Sequence, residues 1–204
     1  MASSDVQAVF ITADSQALDA DGISTAATLS GSGNLTINGA LASGGSCTFN
    51  AGRVVTILSD GDDSGDTFTV TGTDVNGDAQ TEAITGANAG TATGAKYFKT
   101  VTQIAASGAS AGNVSAGINA SAGDAIFAGR MRLKGVFTVH SGTAGTVSFT
   151  TSSPAGSSVL KLGTVASATS SRDVTIPADG IVCSSGGYVQ YTAGTFSNMT
   201  VFHA

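Results

Sequence analysis

Alternation with a period of two constrains this chain more than any other feature of its sequence. β-Branched residues alternate with small or polar ones, and clusters of Gly, Asn and Asp interrupt these runs at short intervals. Every second side chain of a strand lies on the same face, whereas a helix needs a period of 3.6 residues. No stretch of ten residues shows a convincing helical period, and Ser15–Ala20 is a candidate for one short turn only. The sequence therefore predicts an all-β protein.

The strand signals divide into two sandwich-like antiparallel modules in tandem. We expect an N-terminal β module over residues 1–122, with an extended N-terminal segment, and a C-terminal β-sandwich over residues 123–204. Residues 119–129 are predicted to link the two modules. Gly86–Gly94 is predicted to be a Gly-rich connector between strands. Seven short strands at intervals of about 8–12 residues are typical of a sandwich in the second module. Its first strand is expected to bury Leu133, Gly135, Phe137 and Val139.

The clearest local element is a hairpin around the sequence Asp-Val-Asn-Gly-Asp at 74–78. A two-residue Asn-Gly turn places Phe68 opposite Thr85. A three-residue loop with Gly77 in the left-handed region places Phe68 opposite Ile84 instead. A slip of one residue moves every side chain to the other face, so burial of Phe68 and Ile84 favours the second register. Glu82 then shares the apolar face, which suggests an edge strand.

Charge is scarce and unevenly distributed. Gly, Ala, Ser and Thr make up 113 of the 204 residues, and 11% are charged, against about 25% in an ordinary soluble domain. Residues 1–102 hold three basic and eleven acidic residues, and residues 103–204 hold five basic and three acidic ones. This balance argues against nucleic-acid binding, which needs a basic footprint. A surface so poor in charge favours one part of an assembly over a soluble monomer.

Two further features bound the class of protein. No apolar run reaches the roughly 18 residues of a membrane-spanning helix, and residues 1–10 lack the basic and apolar regions of a secretory signal. We therefore expect neither a membrane partner nor secretion. Cys47 and Cys183 are too few for a disulfide scaffold and are predicted to be reduced thiols.

The densest carboxylate cluster is Asp-Gly-Asp-Asp-Ser-Gly-Asp at 60–66. Its start resembles a calcium loop, with Asp60, Asp62 and Asp66 as candidate ligands. The position at which an EF-hand carries a bidentate Glu is Thr71 here, and the flanks have strand patterns. The alternative interpretation is a solvated hairpin loop in which Asp and Gly serve the turn geometry.

No pattern predicts catalysis. The triplet Asp63-Ser64-Gly65 occurs in some serine proteases, but the chain has no G-x-S-x-G elbow. His140 and His203 belong to the other module, lack the spacing of a zinc site, and are predicted to be exposed strand positions. We therefore expect no enzymatic activity, no cofactor and no resident metal.

Two segments are candidate protein interfaces. The basic run at 130–134 is either a solvated strand edge or a contact with an acidic partner. The N-terminal segment is a candidate to reach over a neighbouring subunit and add a strand to it. The interface candidates are Arg130, Arg132 and Lys134 in the first segment, and Val6, Val9, Phe10 and Ile11 in the second.

Several longer stretches resemble small virion proteins of tailed bacteriophages. The likeness lies in NLTINGALASGG at 34–45, GRVVTI at 52–57 and DSGDTFTVTGTDVNGDAQTEAITG at 63–86, and continues in KYFKTVT at 96–102 and AGNVS at 111–115. The second module, from GVFTVHSGTAGTV at 135–147 to IPADGI at 176–181, resembles a separate phage β-sandwich.

The resemblance implies a non-enzymatic capsid cement or decoration protein, which stabilises the head by binding the major capsid protein. A tail or neck component, such as an adaptor, tail-tube or fibre-base protein, is the alternative. Decoration proteins commonly occupy three-fold positions, so a homotrimer is expected on the capsid surface of the virion, assembled in the host cytoplasm. A carbohydrate-binding adhesin is disfavoured, because Trp is absent and aromatic residues make up 6% of the chain.

Overall fold

A computed structural model describes residues 5–12, 19–118, 124–192 and 194–204. Every regular secondary-structure element within these ranges is a β-strand, and each pair of neighbouring strands is antiparallel. This confirms the predicted all-β fold. The chain forms two compact units. The central unit is Ala17–Ala120, and the terminal unit combines Met1–Gln16 with Ser121–Ala204.

Among the described residues, eight strands belong to the central unit and nine to the terminal unit. The central strands are β2 (Asp19–Thr28), β3 (Gly33–Asn34), β4 (Ala42–Ser43), β5 (Ser46–Asp62), β6 (Thr67–Thr73), β7 (Ala79–Thr85), β8 (Asn88–Ala106) and β9 (Asn113–Ile118). The terminal strands are β1 (Gln7–Thr12), β10 (Asp124–Phe127), β11 (Met131–Ser141), β12 (Gly145–Thr151), β13 (Ser157–Thr164), β14 (Thr169–Thr175), β15 (Ile181–Cys183), β16 (Gly187–Tyr191) and β17 (Phe196–His203).

The position of β1 differs from the predicted division at residues 122 and 123. β1 pairs with β17 over six consecutive residues, from Gln7 opposite His203 to Thr12 opposite Asn198. Ile11 is fully buried there, so the apolar alternation of β1 completes the core of the terminal unit. Of the predicted joint at 119–129, residues 119–123 lie outside the described residues, and β10 already begins at Asp124.

This arrangement also changes the distribution of charge. By sequence the terminal unit holds five acidic and five basic residues, and the central unit holds nine acidic and three basic ones. The expected contrast between an acidic and a basic half is therefore a contrast between an acidic unit and a unit without net charge.

In the central unit one sheet with the strand order β2-β9-β5-β8-β6-β7 folds over a single core. β3 adds to β8, and β4 adds to β5. The two long strands contain register shifts, the largest between Thr48 and Arg53 of β5, and such irregularities bend a strand and increase its twist. Ile23 of β2, Ile57 of β5 and Ile84 of β7 share one buried cluster, so the two ends of the sheet enclose the same core.

Two parts of the central unit were not predicted. The segment Gly86–Gly94 is not a connector, because β8 begins at Asn88 and pairs with β5, with Asn88 opposite Asp62 and Thr93 opposite Thr56. β2 has few large apolar residues and gave no strand signal, yet it pairs with β9. Both strands are rich in Ala, Gly and Thr, and their extended conformation depends on partners that are distant in sequence.

The predicted hairpin register is confirmed. Phe68 lies opposite Ile84, the Asp74 amide donates to the Asp78 carbonyl at 2.9 Å, and Gly77 has a φ of +90°. β7 is an edge strand. The Glu82 carboxylate accepts a hydrogen bond from the Ala95 amide at 2.6 Å, which satisfies an acidic side chain on the face shared with the apolar residues.

The described strands of the terminal unit form two sheets. The first has the order β1-β17-β11-β14, with β15 added to β11, and the second has the order β13-β12-β16-β10. The rings of Tyr191 and Phe196, one from each sheet, meet edge to face with centroids 4.8 Å apart. The unit is therefore a sandwich whose inner faces pack together.

A bulge in β11 reverses the face that was predicted to be buried. The register shifts between Leu133 and Gly135, and beyond it Val136, Thr138 and His140 are buried whereas Phe137 is exposed. One extra residue moves every later side chain to the opposite face. The prediction that Phe137 is buried and His140 exposed was wrong for this reason. His203 is also buried, on the inner face of β17.

Candidate interaction surface

Three phenylalanines on adjacent strands face outward from the sheet that contains β1. Phe10 of β1 is 53% exposed and Phe137 of β11 is 37% exposed, and both lie opposite Thr200 of the intervening β17. Phe202 is two residues from Thr200 and half-buried, so it is the diagonal neighbour of both, within the reach of aromatic side chains. We call Phe10, Phe137 and Phe202 the aromatic strip.

The four N-terminal candidates divide between the two faces of the sheet. Ile11 is fully buried and Val9 is partly buried, and they lie opposite the buried Met199 and Val201 of β17. Phe10 faces outward, and Val6, just before β1, is 56% exposed. Of these candidates, Val6 and Phe10 are therefore available to another molecule.

The basic candidates lie on the same sheet, at the start of β11. The Arg132 guanidinium donates to the Asp179 carbonyl at 3.2 Å, and the Lys134 ammonium donates to the Ala178 carbonyl at 3.3 Å. Both side chains thus hold the turn after β14 while remaining partly exposed. Arg130 is exposed just before the strand.

β1 differs from the other edge strands of the terminal unit. Among the described residues it pairs only with β17, and it contains no charged residue, no proline and no register shift. In contrast, β13 carries the exposed Lys161, and β14 carries the exposed Arg172 and Asp173. Charges, prolines and bulges are the usual protection of a sheet edge against pairing with another chain. The edge of β1 lacks all three.

The sequence did not identify Phe137 and Phe202 as surface residues. Its apolar alternation indicated burial of Phe137, because the alternation was extended through residue 135 without a break. An isolated Gly within a strand pattern is a signal of a bulge, and Gly135 follows the register shift. With that signal, Phe137 would have been assigned to the outer face.

The carboxylates of the 60–66 loop serve the loop itself. Asp62 Oδ1 accepts hydrogen bonds from the Ser64 hydroxyl at 2.6 Å and from the Ser64 amide at 3.2 Å, and these bonds lower the pKa of Asp62. Asp66 accepts from the Ser107 hydroxyl at 3.1 Å, and Asp60 is exposed. The described residues contain no group of three or more His, Cys, Asp or Glu side chains placed to hold a metal ion.

Asp63 is the structural centre of this loop. Its side chain is fully buried, and Oδ1 accepts from the Ala111 amide at 2.7 Å. Its own amide donates to the Ala87 carbonyl at 3.0 Å, and its carbonyl accepts from the Asp66 amide at 2.9 Å. One residue thus joins three loops at the same end of the central unit.

The nucleophilic and titratable groups that the sequence singled out are separated or buried. Ser64 is an exposed residue of the central unit, whereas His140 and His203 are buried in the terminal unit. Burial lowers the pKa of both histidines, and the Arg172 charge adds to this effect at His140. Cys47 and Cys183 are free and buried, and burial raises the pKa of Cys47 to about 11.

No family model, no curated protein and no solved structure matches this chain. In the described residues, no helix is long and apolar enough to cross a membrane.

Proposed function

We propose that the chain is a structural protein of a bacteriophage virion, which decorates the capsid as a homotrimer by binding the major capsid protein. The observation that carries the proposal is the aromatic strip beside the unprotected edge of β1. Exposed apolar patches on a soluble β protein mark sites of protein contact, and aromatic side chains are enriched in such contacts. Such a surface suits assembly into a homotrimer, and the likeness of the sequence to phage virion proteins supplies the particle that the trimer would decorate.

The location of the reactive groups supports a structural role. His140, His203, Cys47 and Cys183 are all buried, so none of them offers a side chain to a substrate at the surface. Ser64 is exposed, but its hydroxyl is bound to Asp62, and the general base that a nucleophilic serine needs is not supplied by either histidine.

A tail or neck component is the second candidate, and copy number distinguishes the two. The ratio of this chain to the major shell protein is measured by quantitative mass spectrometry of purified particles that carry it. We expect a ratio of the same order as one chain per shell subunit. A few copies per particle would favour the tail or neck role, and absence of the chain from particles would overturn both.

The binding step is tested directly with shells that lack the chain. Purified chain is added to these shells, and bound protein is separated from free protein by sedimentation. We expect saturable binding and a higher temperature of shell disruption. Shells that neither bind the chain nor gain stability would contradict the decoration role.

A further inference from the structure

We propose that the aromatic strip and the adjoining edge of β1 form the surface at which a second copy of this chain docks. The inference concerns the isolated chain in solution, so it does not depend on the proposed role in a virion.

The surface combines exposed apolar rings with a strand edge. The strip presents Phe10, Phe202 and Phe137 on three adjacent strands, and the two outer rings are the most exposed aromatic side chains of the described residues. The outer side of β1, from Gln7 to Ile11, continues this surface, and no described strand pairs with it there. An edge of this kind is a template for another strand, and the neighbouring rings supply apolar contact area.

The distribution of charge favours a copy of the chain as the occupant. The terminal unit has equal numbers of acidic and basic residues, whereas the central unit has nine acidic and three basic ones. Two terminal units can therefore approach each other without net electrostatic repulsion, whereas two central units repel each other through their excess of negative charge.

The charges around the strip are also self-complementary. Asp173 lies opposite Phe137 on β14, and Arg132 and Lys134 stand at the other end of the same face. A second copy that brings its basic end against Asp173 of the first pairs charges of opposite sign. Such complementarity fixes the orientation of the contact.

The test compares one substitution in the strip with a matched substitution outside it. Phe10→Lys places a charge on the outer face of β1, where it does not touch the core. Val165→Lys is the control, because Val165 is 57% exposed in the same unit and lies in the loop between β13 and β14. Mass is measured by sedimentation equilibrium from about 1 to 100 µM, and near-ultraviolet circular dichroism checks the fold.

For the unmodified chain and for Val165→Lys we expect a mass that is a multiple of 19.8 kDa. For Phe10→Lys we expect at least a tenfold weaker association. Phe137→Lys, which changes a different strand, should weaken association in the same way. If one of the two variants loses its fold, the other still tests the surface. A trimer dispersed by these variants agrees with the proposed homotrimer, whereas a dimer dispersed by them supports the surface and contradicts the trimer.

Two results would overturn the inference. One is a monomer at every concentration, including the case in which that monomer binds phage shells through Phe10, because the occupant is then the shell protein. The other is an oligomer that Phe10→Lys and Phe137→Lys leave unchanged.

Discussion

The imidazole ring of His203 packs against the phenyl ring of Phe127, with centroids 5.3 Å apart and planes tilted by 47°. Phe127 ends β10 and His203 ends β17, so the contact joins the two sheets of the terminal unit. His140 is likewise buried, on the inner face of β11. The terminal unit thus encloses two imidazoles whose pKa values are lowered by burial.

We predict that mild acid destabilises the terminal unit. The unfolded chain protonates its histidines below a pH of about 6.5, whereas the folded unit keeps His140 and His203 neutral to a lower pH because their pKa values are depressed. The unfolded state therefore binds more protons as the pH falls from 6.5 towards 5. The free energy of unfolding decreases over this window by at most about 1.4 kcal/mol per pH unit for each histidine.

The two cysteines allow this effect to be assigned to one unit. Cys183 is buried in the terminal unit and Cys47 in the central unit, so labelling of each thiol reports the opening of its own unit. Labelling in urea, normalised to the unfolded chain at the same pH, should accelerate at Cys183 between pH 6.5 and 5 and much less at Cys47. The variant His140→Leu with His203→Phe should reduce this pH dependence, and an unchanged dependence would contradict the assignment.

Local signals predicted the parts of the fold that depend on neighbours in sequence. The loop at 74–78 requires a left-handed residue, Gly77 supplies it, and the burial of Phe68 and Ile84 then selects one register. The place of β1 could not be predicted in this way, because β17 lies nearly the whole chain away. Alternation in residues 7–12 shows that one face is buried but does not show against which sheet.

The candidate surface was predicted in part. Phe10 was identified because it lies in an apolar segment near the N-terminus, but its inward neighbours Val9 and Ile11 were grouped with it. Phe137 was missed because a single shift of register after Leu133 exchanges the two faces of β11. That shift lies in the pairing with β17, so the strand's own sequence signals it only through Gly135.

We predict that Asp63→Ala destabilises the central unit, whereas the exposed Asp60 of the same loop tolerates the same change. The substitution removes the buried side chain that accepts from the Ala111 amide, and loss of a hydrogen bond to a charged group costs about 1.5–3 kcal/mol. Asp60→Ala is the matched control, because Asp60 is exposed and should change stability by less than about 0.5 kcal/mol. Urea unfolding read by Cys47 labelling measures both, and equal effects would contradict the structural role of Asp63.

We predict that Gly72→Ala destabilises the central unit by at least about 1–3 kcal/mol. A Cβ atom at Gly72 would overlap the carbonyl oxygen of Thr100 in β8, at the point where the pairing of β6 with β8 shifts register. Backbone on both sides leaves no flexible side chain to move. Gly33→Ala is the control, because a Cβ at Gly33 in β3 meets no atom within 4 Å. Cys47 labelling in urea measures both variants. If Gly72→Ala accelerated this labelling less than Gly33→Ala did, the close approach of Gly72 to the Thr100 carbonyl would be refuted.

We predict that Ile11→Ala, close to the N-terminus, opens the unit formed by the C-terminal part of the chain. Ile11 is fully buried opposite Met199, and truncation of a buried Ile to Ala costs about 2–5 kcal/mol. Labelling of Cys183 should therefore accelerate strongly, although this cysteine is far from residue 11 in sequence, and labelling of Cys47 should change little. Val6→Ala is the control, because Val6 is exposed. If Ile11→Ala instead exposed Cys47 and left Cys183 protected, β1 would belong with the central unit, and the edge proposed for self-association would not exist in solution.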